Sequence, residues 1–446
     1  MDPATIGLLA FGLMLVLLAM RVPIAFALIG VATLAAFTIF AFRTGTFMPE
    51  RAIRATSSLV FSNSFDLVHS FDLSMIPLFV ALGNIAYRAG ITTAVYNSAK
   101  VWLVRQRGGL AVASVMGCGG FSAITGSSLA CASTMGKICT PEMLRLGYDP
   151  RLATASVAAG GTLGSLIPPS ILFIIYAIFT ETSVSKLFLA GVLPGLLTLA
   201  GFVLVIWVWI RVNPKLVPQQ GTAASWAEKM AAVREAWPAA LIFVIIVVGI
   251  YGGFFTATAA AAVSVVVTTL IGFGQKRLTL QGLWEAVRET CVQTSAIFVV
   301  AAGAKIFVAA IALTGMAPAL VQWVADAQLT PMMLLICICV VYLMLGMFLD
   351  PIGIMVLTLP LVVPLVESYG MNLIWFGVVV VKLLEIGLIT PPVGLNVFVL
   401  ANVVGREAPI GTVFAGIWRF LCVDVVVLAL IVGFPSISLL LSMTAR

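Results

Sequence analysis

Oxygen-rich tetrads and pentads interrupt otherwise apolar sequence in this chain. Thr125-Gly126-Ser127-Ser128 and Gly161-Thr162-Leu163-Gly164-Ser165 place hydroxyls and bare backbone carbonyls inside long apolar runs. Gly346, Asp350 and Gly353, followed by Thr390, Gly394 and Asn396, repeat the arrangement further along. Hydroxyl and unwound carbonyl oxygens suit a partly dehydrated Na⁺, and the positive ends of half-helices suit a carboxylate. The same Ser and Gly residues, with Ser122 and Ser133, also suit close helix packing of the small-xxx-small kind.

Two proline doublets position these groups. Gly164-Ser165-Leu166-Ile167-Pro168-Pro169-Ser170 and Gly387-Leu388-Ile389-Thr390-Pro391-Pro392-Val393 each carry a glycine four residues before the first proline. They lie 223 residues apart, half of the 446-residue chain. Proline lacks an amide hydrogen and clashes with the preceding turn, so a helix breaks there. In a bilayer a broken helix is tolerated only where its freed groups face protein or a polar cavity, and two such breaks in matching halves point to a transporter's binding site.

Upstream landmarks share the register. Pro141 and Pro364 precede their doublets by 27 residues, and the polar breaks at Ser127 and Asp350 by 41. Each half therefore reads as a short apolar arm, a polar tip, a second arm, a loop and a broken helix. Arms under about 20 residues fit re-entrant hairpins, expected at about 109–140 and 331–366. The loop after the first hairpin holds Arg145 and Arg151, whereas Glu367-Ser368-Tyr369-Gly370-Met371-Asn372 holds no Lys or Arg. Basic loops stay in the cytoplasm, so the halves are expected to insert oppositely as an inverted repeat.

The composition supports an all-α polytopic membrane protein. It is 62% hydrophobic and 9% charged, against about 25% charged for a soluble domain, and the apolar runs lack the alternation of a membrane barrel. The net charge of +7 comes from short loops between apolar runs, so it orients helices and does not suggest nucleic acid. Seven cysteines within or beside apolar runs and the single His69 leave no metal-ligand set. Gly136-Lys137 lacks the other residues of a P-loop, so ATP is not expected to drive transport on this chain. Nothing arranges Ser128 and Lys137 as a proteolytic dyad.

Spans are expected at 4–20 (a retained helix, since Met1-Asp2-Pro3 has no basic n-region), 22–42, from Met75, 187–210, 238–251, 257–274, 292–314 and 412–440. Residues 43–74 read as a polar loop, 218–221 as a linker within a cytoplasmic stretch at 211–236, and 281–291 as an amphipathic segment. Residues 372–403 form the second broken helix, and Arg406 returns the chain to the cytoplasm. Five regions follow: scaffold helices and arm at 1–108, first hairpin and broken helix at 109–186, central scaffold and connector at 187–291, second hairpin and broken helix at 292–403, and a terminal helix at 404–446.

Lys137, Lys305, Asp350, Lys382, Glu385 and Asp424 are ionisable residues within apolar sequence. Lys382 and Glu385, three apart on a helix, are expected to pair. Asp350, at a tip, is expected beside a cation directly or through water. Lys137 either snorkels to the interface or serves the site; Lys305 and Asp424 have no evident role.

The runs Gly108-Gly109-Leu110-Ala111, Phe121-Ser122-Ala123-Ile124-Thr125-Gly126-Ser127-Ser128, Pro141-Glu142-Met143, Ile167-Pro168-Pro169-Ser170, Leu187-Phe188-Leu189-Ala190-Gly191, Gly346-Met347-Phe348-Leu349-Asp350-Pro351 and Leu388-Ile389-Thr390-Pro391-Pro392-Val393-Gly394-Leu395-Asn396 carry a family resemblance. In that order the chain resembles, over nearly its whole length, the large membrane subunit of TRAP (tripartite ATP-independent periplasmic) transporters, the DctM-like family. The resemblance implies a Na⁺-coupled importer in a bacterial inner membrane, with an elevator-type fold like that of the ion-transporter superfamily. It implies a periplasmic binding protein that delivers an organic acid and a separate small membrane subunit of about four helices.

On this resemblance two or more Na⁺ ions are expected. One lies between Gly126, Ser127 and Ser128 and the break at Gly161, Gly164, Ser165 and Pro168. A second lies between Gly346 and Asp350 and the break at Thr390, Pro391 and Gly394. Substrate is expected between the tips, against Thr125, Ser128, Ser170, Pro351 and Asn396. The chain departs from the family's Gly-x-x-Thr-Pro-Thr-Glu-Ala pattern, with Ala257 and Ala259 in place of its proline and glutamate. A stand-alone Na⁺/carboxylate symporter of the divalent-anion type is the alternative; an intramembrane enzyme or a channel is a third reading.

Overall fold

A computed structural model describes residues 3–42, 47–218 and 224–444. Arg43, most of the 218–221 linker and the Arg406 side chain lie outside what it describes. Among the described residues there are helices and no strand. Among these residues seven helices are long and apolar enough to cross a membrane, or up to nine if each of two bent pairs is one span. The protein is a multi-pass all-α membrane protein.

Helices α1 (Pro3–Ala19) and α2 (Ile24–Phe42) fall where expected. The stretch read as a polar loop instead holds α3 (Pro49–His69), which meets the following helix at 57°. Pro49 opens α3 at a position where a missing amide costs nothing, and its polar residues are spread among apolar ones at helical spacing, which masked the helix. Next come α4 (Met75–Arg88) and α5 (Ile91–Leu103).

The first hairpin is α6 (Gly109–Thr125) and α7 (Ser128–Arg145), and the first broken helix is α8 (Pro150–Leu166) and α9 (Ile171–Thr180). Pro141 lies inside α7, so the loop is confined to 146–149. Helices α10 (Val184–Val212), α11 (Trp226–Glu235), α12 (Trp237–Tyr251) and α13 (Ala257–Gly274) follow. The amphipathic segment and the next span are one 35-residue helix, α14 (Leu280–Thr314), so the boundary drawn at 291/292 falls inside a helix. Its polar first turns pair with Arg88, through Glu285 at 2.5 Å and Glu289 at 3.2 Å.

After α15 (Met316–Asp326), the second hairpin is α16 (Pro331–Gly346) and α17 (Pro351–Ser368), which contains Pro364. The second broken helix is α18 (Leu373–Gly387) and α19 (Leu395–Val404). The expected single terminal helix is two, α20 (Ile410–Gly433) and α21 (Ser436–Thr444), because Pro435 cannot continue α20.

Two helices form the interior. Every residue of α8 from Leu152 to Leu166 is buried, as is every residue of α18 from Trp375 to Gly387. Small residues let neighbours approach α8 on all sides: α6, α7, α10, α18, α19 and α20 all touch it. On the other side, α14 runs along α2 and α4. The first hairpin is pinned to α5 where Glu142 pairs with Lys100 and accepts from the Tyr96 hydroxyl at 3.0 Å. The two buried helices are those that run into the proline doublets; the first break, with Pro168 and Pro169 buried, lies inside the fold, whereas at the second Thr390 and Pro391 are half-buried and Pro392 is exposed.

Candidate functional site

The first tip is a two-residue turn. Gly126 takes the left-handed conformation (φ 65°), and Ser127 caps α7 by accepting from the Ala130 amide at 3.4 Å. Ser170 does the same for α9, accepting from the Phe173 amide at 3.2 Å, with nearly the same backbone angles as Ser127. The Pro168-Pro169 peptide between α8 and α9 is cis, as is Pro391-Pro392.

The tip is docked on the break. The Ile171 amide donates to the Gly126 carbonyl at 3.1 Å, and the Ser128 and Ser165 hydroxyls lie 2.9 Å apart. Gly164 is the contact point: a Cβ there would sit 2.7 Å from the Ser127 carbonyl oxygen. Gly161 packs as closely on Ala132, where a Cβ would come within 2.9 Å. In a regular helix the carbonyls of Gly164 and Ser165 would accept from residues 168 and 169, and both are proline. Their oxygens are freed at the negative end of α8, while α7 and α9 turn their positive ends toward the same place. The donor set is all oxygen, which fits a hard alkali cation.

The second tip meets its break at the equivalent glycine. A Cβ on Gly387 would lie 2.7 Å from the Gly346 Cα. The polar groups are arranged differently. Asp350 caps α17 by accepting from the Gly353 amide at 3.0 Å. The Thr390 hydroxyl donates back to the Ile386 carbonyl at 2.6 Å, and Gly394 takes the left-handed conformation just before α19. The Asn396 amide donates to the Leu388 carbonyl at 3.0 Å across the break, and its side chain reaches the Ala158 carbonyl of α8 at 3.4 Å.

Both tips face one cavity of about 130 Å³, lined by Gly126, Ser127, Ser128, Ser165, Asp350 and Pro351 among others. A second cavity, about 560 Å³, adjoins it at Ser127 and runs between α4, α7 and α14 past Thr125, Asn84, Lys137, Glu289 and Gln293. Of the residues expected at substrate, Ser128 and Pro351 line the space between the tips and Thr125 the adjoining one. Ser170 and Asn396 are fully buried.

The expected Lys382–Glu385 pair is not formed. Lys382 pairs with Asp424 of α20 and donates to the Thr198 hydroxyl at 3.1 Å, whereas Glu385 accepts from the Ser128 hydroxyl at 2.7 Å. Three residues along a helix differ by roughly 60° in direction, enough for the two side chains to serve different neighbours. Asp424 thereby gains a role, and Glu385 is a site neighbour that sequence reasoning missed. Its place two residues before Gly387 in the second repeat gave no hint of a contact with the first tip.

A family model described as "Tripartite ATP-independent periplasmic transporter, DctM component" matches residues 11–437. The chain belongs to the DctM family. A relative named as the C4-dicarboxylate TRAP transporter large permease of Pseudomonas aeruginosa is 34% identical over 84% of this chain and 87% of its own length. The sialic acid large permease of Vibrio cholerae is 32% identical (84% and 87%), and the ectoine large permease of Halomonas elongata 32% (83% and 86%). These relatives are transporter permeases, not enzymes. A solved structure, the YdaH transporter of Alcanivorax borkumensis, shares the fold at TM-score 0.65 and 14% identity, covering 92% of this chain and 99% of that one. As a DctM-family protein, this chain is the large membrane subunit of a TRAP transporter. Its two departures from the family pattern, Ala257 and Ala259, stand at the start of α13 and line neither cavity.

Proposed function

We propose that this subunit imports an organic acid across a bacterial inner membrane, driven by co-transported Na⁺. The docked first tip carries the reading, since Ser128, Ser165 and the freed carbonyls of the broken α8 converge there without a nitrogen or sulfur donor. One Na⁺ binds between that tip and break. A second binds at the matching place in the other half, among Gly346, Asp350, Thr390, Pro391 and Gly394.

The acid binds between the tips, where the N-termini of α7, α9 and α17 turn partial positive charge toward its carboxylate. Sodium at the carbonyl ends adds full positive charge nearby, so ion and acid favour each other's binding. Each tip is packed on its own break, so hairpin and broken helix move as one body against the α2, α4 and α14 side. That motion is the elevator step.

A periplasmic binding protein delivers the acid, and a separate small membrane subunit completes the complex. The large cavity past Thr125 and Lys137 gives the acid a path from the tips. The relatives are named for different substrates, which fits selection by the binding protein.

Uptake by the reconstituted complex is the test, with C4-dicarboxylate, sialic acid and ectoine as probes. Accumulation should require an inward Na⁺ gradient and both partners. Uptake indifferent to Na⁺ would overturn the coupling, and uptake by this chain alone would replace the tripartite reading with a stand-alone symporter.

A further inference from the structure

We propose that the Glu385 carboxylate is the anionic ligand of the cation site at the first tip, so that this site is assembled from both halves of the chain. The inference rests on the sodium reading above and deepens it. Glu385 belongs to the second half, on α18, yet one of its oxygens accepts from Ser128 at 2.7 Å, and Ser128 is 2.9 Å from Ser165. The residue is 1% exposed, and its other oxygen, Oε1, has no hydrogen-bond partner. A buried carboxylate oxygen left without a partner is expensive, and a bound cation removes that penalty.

Charge balance gives the valence. Among the described residues the buried charged side chains are Lys382, Asp424 and Glu385. Lys382 and Asp424 neutralise each other as an ion pair. An ionised Glu385 carries one negative charge with no ion-pair partner of its own, which a monovalent cation balances. Among the described residues no basic side chain forms an ion pair with it. The charges of α7 begin at Lys137, more than two turns beyond Ser128, and the one charged residue of α8 is Arg151, at its far end.

The remaining donors complete an alkali-metal shell. The Ser128 and Ser165 hydroxyls sit beside the carboxylate, and the carbonyls of Gly164 and Ser165 lack amide donors because residues 168 and 169 are proline. The Ser128 hydrogen bond to Glu385 holds these oxygens in place. With a cation bound, the hydroxyl turns its lone pair inward and the carboxylate binds the ion directly.

Purified complex, unfolded thermally over a series of Na⁺ concentrations at constant ionic strength with K⁺, tests this, alongside Na⁺-dependent uptake. Glu385→Gln should raise the Na⁺ concentration for half-maximal stabilisation and uptake at least tenfold. Glu385→Asp, which keeps the charge on a shorter arm, should raise it less. A Glu385→Gln complex that responds at wild-type Na⁺ concentrations overturns the inference while leaving the sodium reading intact. A wild-type complex that does not distinguish Na⁺ from K⁺ overturns both.

If Glu385→Gln fails to assemble, the wild-type complex labelled with ¹³C-glutamate decides. Its Na⁺-minus-K⁺ infrared difference spectrum should contain an ionised glutamate carboxylate band, and an unchanged glutamate region sinks the proposal.

Discussion

The Ile171 amide donates to the Gly126 carbonyl at 3.1 Å. A hairpin turn thus satisfies an amide that the broken helix leaves open at the start of α9. The tip and the break are one hydrogen-bonded unit, and moving one without the other exposes a donor and an acceptor inside the protein.

Gly164 and Gly387 should respond alike to substitution. A Cβ at either meets backbone at 2.7 Å, closer than real Cβ atoms come, so the tip must move off its break. Overpacking of this kind costs about 1–3 kcal/mol. Gly164→Ala and Gly387→Ala should each cut Na⁺-dependent uptake by about tenfold or more in an assembled complex. Gly12→Ala, where nothing lies within 4 Å, should leave uptake unchanged. Full activity in both break-glycine variants would show that the close approach does not matter to transport.

That symmetry was legible in the chain, and the reason is chemical. Proline doublets, a glycine one turn earlier and a polar break in an apolar arm are local constraints, so the hairpins, the breaks and their shared register could be read. Other features depended on distant partners. Helix α3 looks like a loop until its apolar residues are seen at helical spacing. Glu385 and Ser128, 257 residues apart, meet only because α18 packs on α8 where the start of α7 is docked through Ser165. No spacing rule says which way a side chain on a wholly buried helix points.

The Lys382–Asp424 pair should behave as a unit. Both side chains are buried, at 1% and 0% exposed, so removing one partner strands a charge. Lys382→Met or Asp424→Leu alone should destabilise the protein by about 3–5 kcal/mol, and the double variant should recover most of that loss. Thermal midpoints of the four proteins provide the cycle. A double variant as unstable as the sum of the singles would mean the pair is not coupled.

Asp149 should make stability depend on pH in the acid range. It caps α8 and accepts three hydrogen bonds from Arg151, from the amide at 2.8 Å and the guanidinium at 3.0 and 2.8 Å. The guanidinium bonds chiefly hold its carboxyl below the usual carboxylate range. Its contribution is therefore complete above the unfolded value of about 3.9 and is lost as pH falls through the lower folded value. Asp149→Ala should cost about 1 kcal/mol at neutral pH. The difference in melting temperature between wild type and variant should close under acid conditions. A difference that persists unchanged at the lowest pH would assign the effect to packing.

The expected opposite insertion of the two halves can be tested by labelling. Leu146 follows α7 and Ser368 ends α17, and both are exposed. In a background with Cys291, Cys337 and Cys422 replaced, since these are also exposed, Leu146→Cys should react with an impermeant maleimide from the cytoplasm. Ser368→Cys should react from the periplasm. Reaction of both from one side would remove the inverted repeat.

Asn396 hangs from the Ala158 carbonyl, midway along α8. The second break is thus fastened to the very rod whose end forms the first, which would leave the two proposed ion sites mechanically in series. On the proposed function a sodium ion settling at one end would stiffen the support of the other, so uptake should rise with sodium more steeply than a single independent site allows, and loosening Asn396 should flatten that curve before it abolishes transport.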